Sequence, residues 1–155
     1  KHTPIHFGKA EVLRKGDDVA LLGYGSTVAM CYRAAQLLEE KGIQAYVLNV
    51  RFAKPLDVET IRKSVEKSRK MLIAEENVVP GGLGEAVMRA MREIDMNDIT
   101  YKHLALPDRF IEHGTQRELL AEVGLTVEDI VSAVEELLHR KTTTPAPSKM
   151  NSKGS

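Results

Sequence analysis

The stretch GDDVALLGYGSTVAMCYRAAQLLEEKG, residues 16–42, decides the fold class. Its apolar run Val19–Tyr24 is short and continuous, which is typical of a strand covered on both faces. Gly25–Ser26 ends that run, and apolar residues at helical spacing follow it up to about Lys41. The helix face predicted to meet the core carries Val28, Tyr32, Ala35 and Leu38. Gly42 is the expected helix stop.

The same order of strand and helix repeats along the rest of the chain. Further strands are predicted at Ala45–Val50, Lys70–Glu76 and Thr100–Leu106. Further helices are predicted after an N-cap at Asp57, over about Glu85–Ile94, and after the capping-box residues Thr115 and Thr126. This alternation indicates an α/β fold, a three-layer α/β/α sandwich around a mostly parallel sheet.

One strand of the predicted sheet is expected to run against the others. The segment AEVLRKGDDVALL begins with a short strand at Glu11–Leu13, turns at Lys15–Asp17 and continues into the first long strand. Because a tight turn joins antiparallel neighbours, we predict that these first two strands pair with each other. The predicted sheet then has five strands, one of them antiparallel.

Composition narrows the class of protein. A chain of 155 residues with 43% apolar residues is long enough for one domain with a real core. The 22 basic and 22 acidic residues balance, so no nucleic-acid or membrane partner is indicated. Residues 141–155 are too polar to offset their ordering entropy, so we predict a domain over residues 1–140 and a disordered tail after it. Cys31 is the single cysteine, and its apolar neighbours predict a buried, unreactive thiol.

The segment GYGSTV, residues 23–28, is the first candidate ligand site. It lies where a strand ends and a helix begins, and the free N–H groups there suit a phosphate or carboxylate near Ser26. The alternative is a tight turn and helix cap without a ligand. We favour that alternative because the segment matches neither G-x-G-x-x-G nor a Walker loop.

A pair of carboxylates, Glu75 and Glu76, is the second candidate. The pair ends a predicted strand, where α/β folds bind ligands, and neighbouring carboxylates can divide acid and base roles. Adjacent strand residues point to opposite faces, however, so the two need not share a pocket. The glycines that follow let the backbone approach another surface, and they are Gly81, Gly82 and Gly84. We favour a structural or interface role.

Other polar residues give weaker signals. Arg51 ends the second long strand, and we expect it to form a structural ion pair with a carboxylate such as Glu75. His113 could shuttle protons or bind an anion, but without a partner in the sequence it is better read as a loop hydrogen-bonder. The remaining histidines lack metal-ligand spacing, and they are His2, His6, His103 and His139.

Four segments together carry a family resemblance. Residues 8–28, RFAKPLD at 51–57, AEENVVPGGLG at 74–84 and LPDRFIEHG at 106–114 resemble, in order and spacing, the C-terminal domain of transketolase-like enzymes. The second and fourth segments resemble the 1-deoxy-D-xylulose 5-phosphate synthase branch in particular. The likeness covers roughly residues 7–138, and it implies a mixed five-stranded sheet between helical layers.

The resemblance also implies a function. Enzymes of this branch use thiamine diphosphate and Mg²⁺ to condense pyruvate with glyceraldehyde 3-phosphate, releasing carbon dioxide, in isoprenoid and thiamine precursor synthesis. Their cofactor and catalytic residues lie in other domains, so the resemblance assigns no catalytic, cofactor or metal residue to this chain. The triplet Gly16–Asp18 departs from the Gly-Asp-Gly of the family's cofactor motif.

By the same resemblance, the domain is expected to pack on the remaining domains of its parent and to widen a homodimer interface. An exposed apolar patch is expected near the Glu75–Gly84 loop. The implied compartment is the cytoplasm, or the plastid in a plant or alga. Two alternatives stay open: an autonomous module that binds small anions, and the same domain from a transketolase or a 2-oxo-acid dehydrogenase β subunit.

Overall fold

The chain forms a five-stranded sheet with helices on both faces. The computed structural model describes residues 6–76, 82–105 and 125–139. The strands are β1 (Glu11–Arg14), β2 (Val19–Gly23), β3 (Ala45–Asn49), β4 (Lys70–Glu75) and β5 (Thr100–Ala105). The helices in these ranges are α1 (Thr27–Glu40), α2 (Val58–Val65), α3 (Leu83–Glu93) and α4 (Val127–His139). The strand order is β1-β3-β2-β4-β5, with β1 antiparallel to β3 and the other pairs parallel. The predicted fold class is confirmed.

Strand alternation divides the core into two halves. In β2, Val19 and Leu21 pack with α1 and α4, whereas Ala20 and Leu22 pack with α2 and α3. All four side chains are fully buried, which explains the continuous apolar run in the sequence. Complete burial of a leucine contributes about 1.5–3 kcal/mol, so the central strands supply much of the driving force for folding.

The predicted pairing of the first two strands is wrong. β1 pairs with β3, and β3 lies between β1 and β2. The turn instead passes the amino end of β3, where the Asp18 N–H donates to the Gln44 carbonyl at 3.0 Å and the Gln44 N–H donates to the Asp18 carboxylate at 2.7 Å. A Cβ on Gly16 would lie 2.6 Å from the Gln44 backbone, so this close passage depends on glycine.

The core face of α1 also differs from the predicted one. Its buried residues are Thr27, Cys31, Ala34, Ala35 and Leu38. Tyr32 is 39% exposed and Val28 is only partly buried, so the buried face is centred on small residues that let α1 approach the sheet closely. The end of the helix is as predicted. Gly42 adopts a φ of +83°, and its N–H donates to the Glu39 carbonyl.

Two predicted helix starts are confirmed. The Asp57 carboxylate caps α2 by accepting from the Thr60 N–H at 3.2 Å, and at α4 the Thr126 hydroxyl and the Asp129 carboxylate cap each other's backbone N–H groups. The predicted helix after Thr115 and the predicted tail lie outside the described residues. In the part of the chain that the structure describes, no helix has the length and apolarity to cross a membrane.

Candidate functional site

The carboxyl ends of β2 and β4 form the position where a ligand would be expected. The connection from β2 runs through α1 to β3 on one side, and the chain then crosses to β4 on the other side. In open α/β sheets, ligands bind in the crevice at such a reversal. The residues that follow these two strands are therefore the ones to inspect, and they include Ser26, Glu75 and Glu76.

Glu75 is buried at the end of β4, with 5% of its surface exposed. Its carboxylate accepts from the N–H groups of Leu83 at 3.1 Å and Gly84 at 3.3 Å. These are the first two residues of α3, so the carboxylate lies at the positive end of that helix dipole. His103 Nε2 lies 2.6 Å from the same carboxylate. Glu75 thereby links β4, α3 and β5.

Glu76 lies on the opposite side of the sheet. Its carboxylate accepts from the Ser26 N–H at 3.0 Å, directly before the first residue of α1. Hydrogen bonds from the Ser26 side chain, and then from its backbone, lower the pKa of Glu76 below its ordinary value. The backbone of Gly25 is also close, since a Cβ there would lie 3.1 Å from the Glu76 carboxylate. Glu76 is thus an ionised cap on α1.

The two neighbouring carboxylates therefore serve two different helices. Strand alternation directs Glu75 toward α3 and Glu76 toward α1, as the sequence predicted for adjacent strand residues. Thr27 completes the junction, because its hydroxyl donates to the Ala74 carbonyl at 2.6 Å. The helix N-termini that could have attracted an external anion already hold the protein's own carboxylates.

Most predicted site residues meet at this edge of the sheet. Ser26 and Glu76 contact each other, and the α3 N-terminus beside Gly82 and Gly84 receives Glu75. The two carboxylates bond to different helix N-termini, Glu75 to α3 and Glu76 to α1. Gly81 and His113 lie outside the described residues, and their predicted roles stay predictions.

Arg51 does not pair with Glu75 as expected. Its guanidinium lies 2.9 Å from the Glu11 carboxylate on β1. The Arg51 backbone has a φ of +64°, and β3 pairs directly with β1 at this end of the sheet. Because β1 and β3 are adjacent here, Arg51 reaches Glu11 on β1. The predicted partner, Glu75, was therefore wrong.

His103 is the residue that sequence reasoning missed. It was set aside for lack of metal-ligand spacing, yet it contacts the buried Glu75. In the parallel register, His103 lies opposite Ile73 and so shares a face with Glu75 two residues later. The alternation of side chains along each strand, combined with the pairing of β4 and β5, could have predicted that His103 lies near Glu75.

The remaining candidates have structural environments. Burial raises the pKa of the Cys31 thiol to about 12, which keeps it neutral and unreactive, as predicted. In the Gly16–Asp18 triplet, Asp17 lies 3.6 Å from Lys67 and Asp18 caps the turn to Gln44. Across residues 6–76, 82–105 and 125–139, no group of three or more histidine, cysteine or carboxylate side chains has metal-site geometry.

Comparison with known families identifies the domain. The model of the transketolase C-terminal domain matches residues 8–130. The chain belongs to the transketolase C-terminal domain family. This family assignment agrees with the mixed sheet and with the four sequence segments that suggested it.

Curated relatives of this transketolase C-terminal domain include 1-deoxy-D-xylulose-5-phosphate synthases. One from Geobacter sulfurreducens is 42% identical over 143 residues, covering 92% of this chain and 22% of that protein. One from Pelotomaculum thermopropionicum is 44% identical over 132 residues, covering 85% of this chain and 21% of that protein. The chain thus spans about a fifth of the length of these relatives.

Solved structures share the fold of this domain. A split-gene transketolase, an inactive β4 tetramer, has a TM-score of 0.78 and 34% identity, covering 88% of this chain and 44% of that one. A transketolase from Pichia stipitis has a TM-score of 0.55 at 18% identity, covering 84% of this chain and 18% of that one. The second likeness concerns the fold alone.

Proposed function

We propose that this chain acts as the C-terminal domain of a 1-deoxy-D-xylulose-5-phosphate synthase. The observation that carries the proposal is the identity of 42–44% to synthases from two bacteria over most of this chain. The parent enzyme would condense pyruvate with glyceraldehyde 3-phosphate and release carbon dioxide, with thiamine diphosphate and Mg²⁺ bound by its other domains. The implied compartment is the cytoplasm, or the plastid in a plant or alga.

The role of this domain in the parent is structural. It packs on the remaining domains and extends a homodimer interface, with Glu75, Glu76 and the glycines at 81, 82 and 84 near the contact. The expected apolar patch falls partly on residues 77–81, outside the described ranges. A split-gene transketolase that shares this fold over 44% of its chain is an inactive β4 tetramer, which supports a domain of this kind being inactive on its own.

The residues at the carboxyl edge do not fit the cofactor. A pyrophosphate would need the free N–H groups and positive potential of a helix N-terminus. At α1 the ionised Glu76 takes that position, and at α3 the Glu75 carboxylate does so. A pyrophosphate could reach these N–H groups only by displacing a carboxylate, so no step of the reaction is assigned to this chain.

The same contacts argue against an autonomous module that binds an anion at the N-terminus of α1 or α3. Both helix termini that this alternative needs are capped from within the chain. An external anion that replaced a cap would lie beside the displaced carboxylate. Repulsion between the two negative charges would weaken anion binding, and loss of the cap would lower the stability of the domain.

Assembly in trans tests the proposal. A Geobacter sulfurreducens synthase truncated to lack its matching region would be mixed with this chain, and carbon dioxide release from pyruvate plus glyceraldehyde 3-phosphate would be measured. We expect neither part to be active alone and the mixture to form a complex with restored activity. A matched control replaces this chain with a variant that carries Gly23→Glu, which should not fold. A complex that forms without activity would contradict the proposal, as would turnover by this chain alone.

A further inference from the structure

A groove of about 260 Å³ lies between α3 and the edge strand β5. It is separate from the junction of Ser26 with Glu76, and neither its cationic nor its apolar wall has a role in the proposed function. The groove is lined by Gly84, Met88, Arg89, Arg92, Tyr101 and His103, together with Glu85. Its size suits a molecule of a few carbon atoms, since pockets for drug-sized ligands are about 300–1,000 Å³.

Two arginines give the groove its charge. Four other arginines of the described residues have carboxylate partners, Arg14, Arg51, Arg62 and Arg69. Arg33 donates to Gln36. Within the described ranges, Arg89 and Arg92 are the arginines with neither a carboxylate nor an amide partner, and both are exposed. They lie one turn apart on α3, so both guanidiniums can address one group in the groove.

The exposed carboxylate of the groove offsets this charge only in part. Glu85 also lines the groove and has a contact of its own, but the lining holds two guanidiniums against that one exposed carboxylate. Glu75 is buried behind His103, accepts from the Leu83 and Gly84 N–H groups, and lies 2.6 Å from His103 Nε2. Two guanidiniums therefore face the groove with their donors free, and planar guanidinium donors match the oxygens of a phosphate.

The apolar wall of the groove is formed by one residue of β5 and one of α3. Tyr101 on β5 is 44% exposed, and Met88 on α3 is partly buried. The floor is Gly84, where the His103 ring lies so close that a Cβ would be 2.8 Å from it. Glu75 fixes that ring, so the floor of the groove is preorganised. A ligand with an anionic head and a short apolar body would contact both walls.

We propose that this groove binds a small phosphate monoester. Arg89 and Arg92 hold the phosphate, whose dianion can accept from both guanidiniums, and the Tyr101 ring and Met88 cover the carbon body. A single carboxylate offers fewer acceptor oxygens to two guanidiniums, so phosphate is the better match.

Titrations of the full 155-residue chain test the proposal by NMR at constant ionic strength. The probes are inorganic phosphate, phenyl phosphate and phenol. We expect saturable shifts confined to α3 and β5, with phenyl phosphate binding severalfold more tightly than inorganic phosphate and phenol binding weakly. Shifts that do not saturate, or that spread over all basic side chains, would overturn the proposal.

Variants separate the two walls. The double variant Arg89→Gln and Arg92→Gln should lower the affinity for inorganic phosphate and for phenyl phosphate at least about tenfold, because two charge-assisted contacts are lost. Tyr101→Ser should lower the affinity for phenyl phosphate to that for inorganic phosphate and leave the affinity for inorganic phosphate unchanged. Arg33→Gln, an exposed arginine on α1, is the matched control and should change neither affinity. Unchanged binding in the folded double variant would refute the site, and such a failure would leave the domain assignment intact.

Discussion

At the scale of single residues, Glu75 and Glu76 give the carboxyl edge its character. Each carboxylate takes the place that an external anion would occupy at a helix N-terminus. The sequence predicted that the two side chains diverge, because strand alternation is local. It did not predict their partners, because the contact of Glu75 with His103 joins residues far apart in the chain. The same limit explains the wrong partner for Arg51.

The ionised Glu76 makes stability depend on pH. Because hydrogen bonds from Ser26 lower its pKa, the contribution of Glu76 to stability is present above the ordinary glutamate pKa and is lost as pH falls through the folded-state pKa. We expect Glu76→Gln to lower the melting temperature at neutral pH, with the difference from wild type closing in acid. Glu40→Gln, at the other end of α1, is the control. A difference that persists unchanged into acid would contradict the ionised cap.

The Asp57 carboxylate caps α2 and also accepts from the Ala10 N–H at 2.8 Å. Burial alone would raise its pKa, but hydrogen bonds from the Thr60 side chain and from the backbone of Ala10 and Thr60, with the charge of Lys9, lower it instead. We expect Asp57→Ala to reduce the free energy of unfolding by about 1–2 kcal/mol, measured by urea denaturation. The exposed Asp17→Ala is the control. An equal effect of both changes would show that the cap is unimportant.

At the scale of elements, local patterns were enough to place the strands and most helix ends. The burial of β2, the stop at Gly42 and the capping box at Thr126 all follow from short stretches of sequence. The position of β1 does not, because a turn fixes the direction of the next strand but not its neighbour. Here the turn passes β3, and contacts with Gln44 hold it there.

Two positions require glycine for different reasons: Gly23 because its surroundings are closely packed, and Gly42 because its backbone has a positive φ. A Cβ on Gly23 would lie 2.8 Å from the Val28 Cα, so Gly23→Ala must separate β2 from α1. Gly42 has open space around it but a φ of +83°. In urea denaturation, we expect Gly42→Ala to lower the free energy of unfolding by about 1 kcal/mol. Gly23→Ala should lower it further, by up to about 3 kcal/mol. The reverse order would mean that the β2–α1 junction is looser than the structure shows.

At the scale of the whole molecule, the fold class and the family were both within reach of the sequence. Regular alternation predicted the α/β/α layers, and segments such as RFAKPLD carried the family likeness. The groove beside α3 was not predictable, because it requires the register of β4 with β5 and the rotation of α3. Function at this scale depends on the surfaces through which the domain packs on the rest of its proposed parent enzyme.

The most direct test of the central claim, that this domain has no cofactor chemistry of its own, is calorimetry. Thiamine diphosphate would be titrated into the full chain with and without Mg²⁺, at neutral pH where Glu76 is ionised. The account predicts no saturable heat in either titration. Saturable, Mg²⁺-dependent binding of thiamine diphosphate to this chain would contradict it.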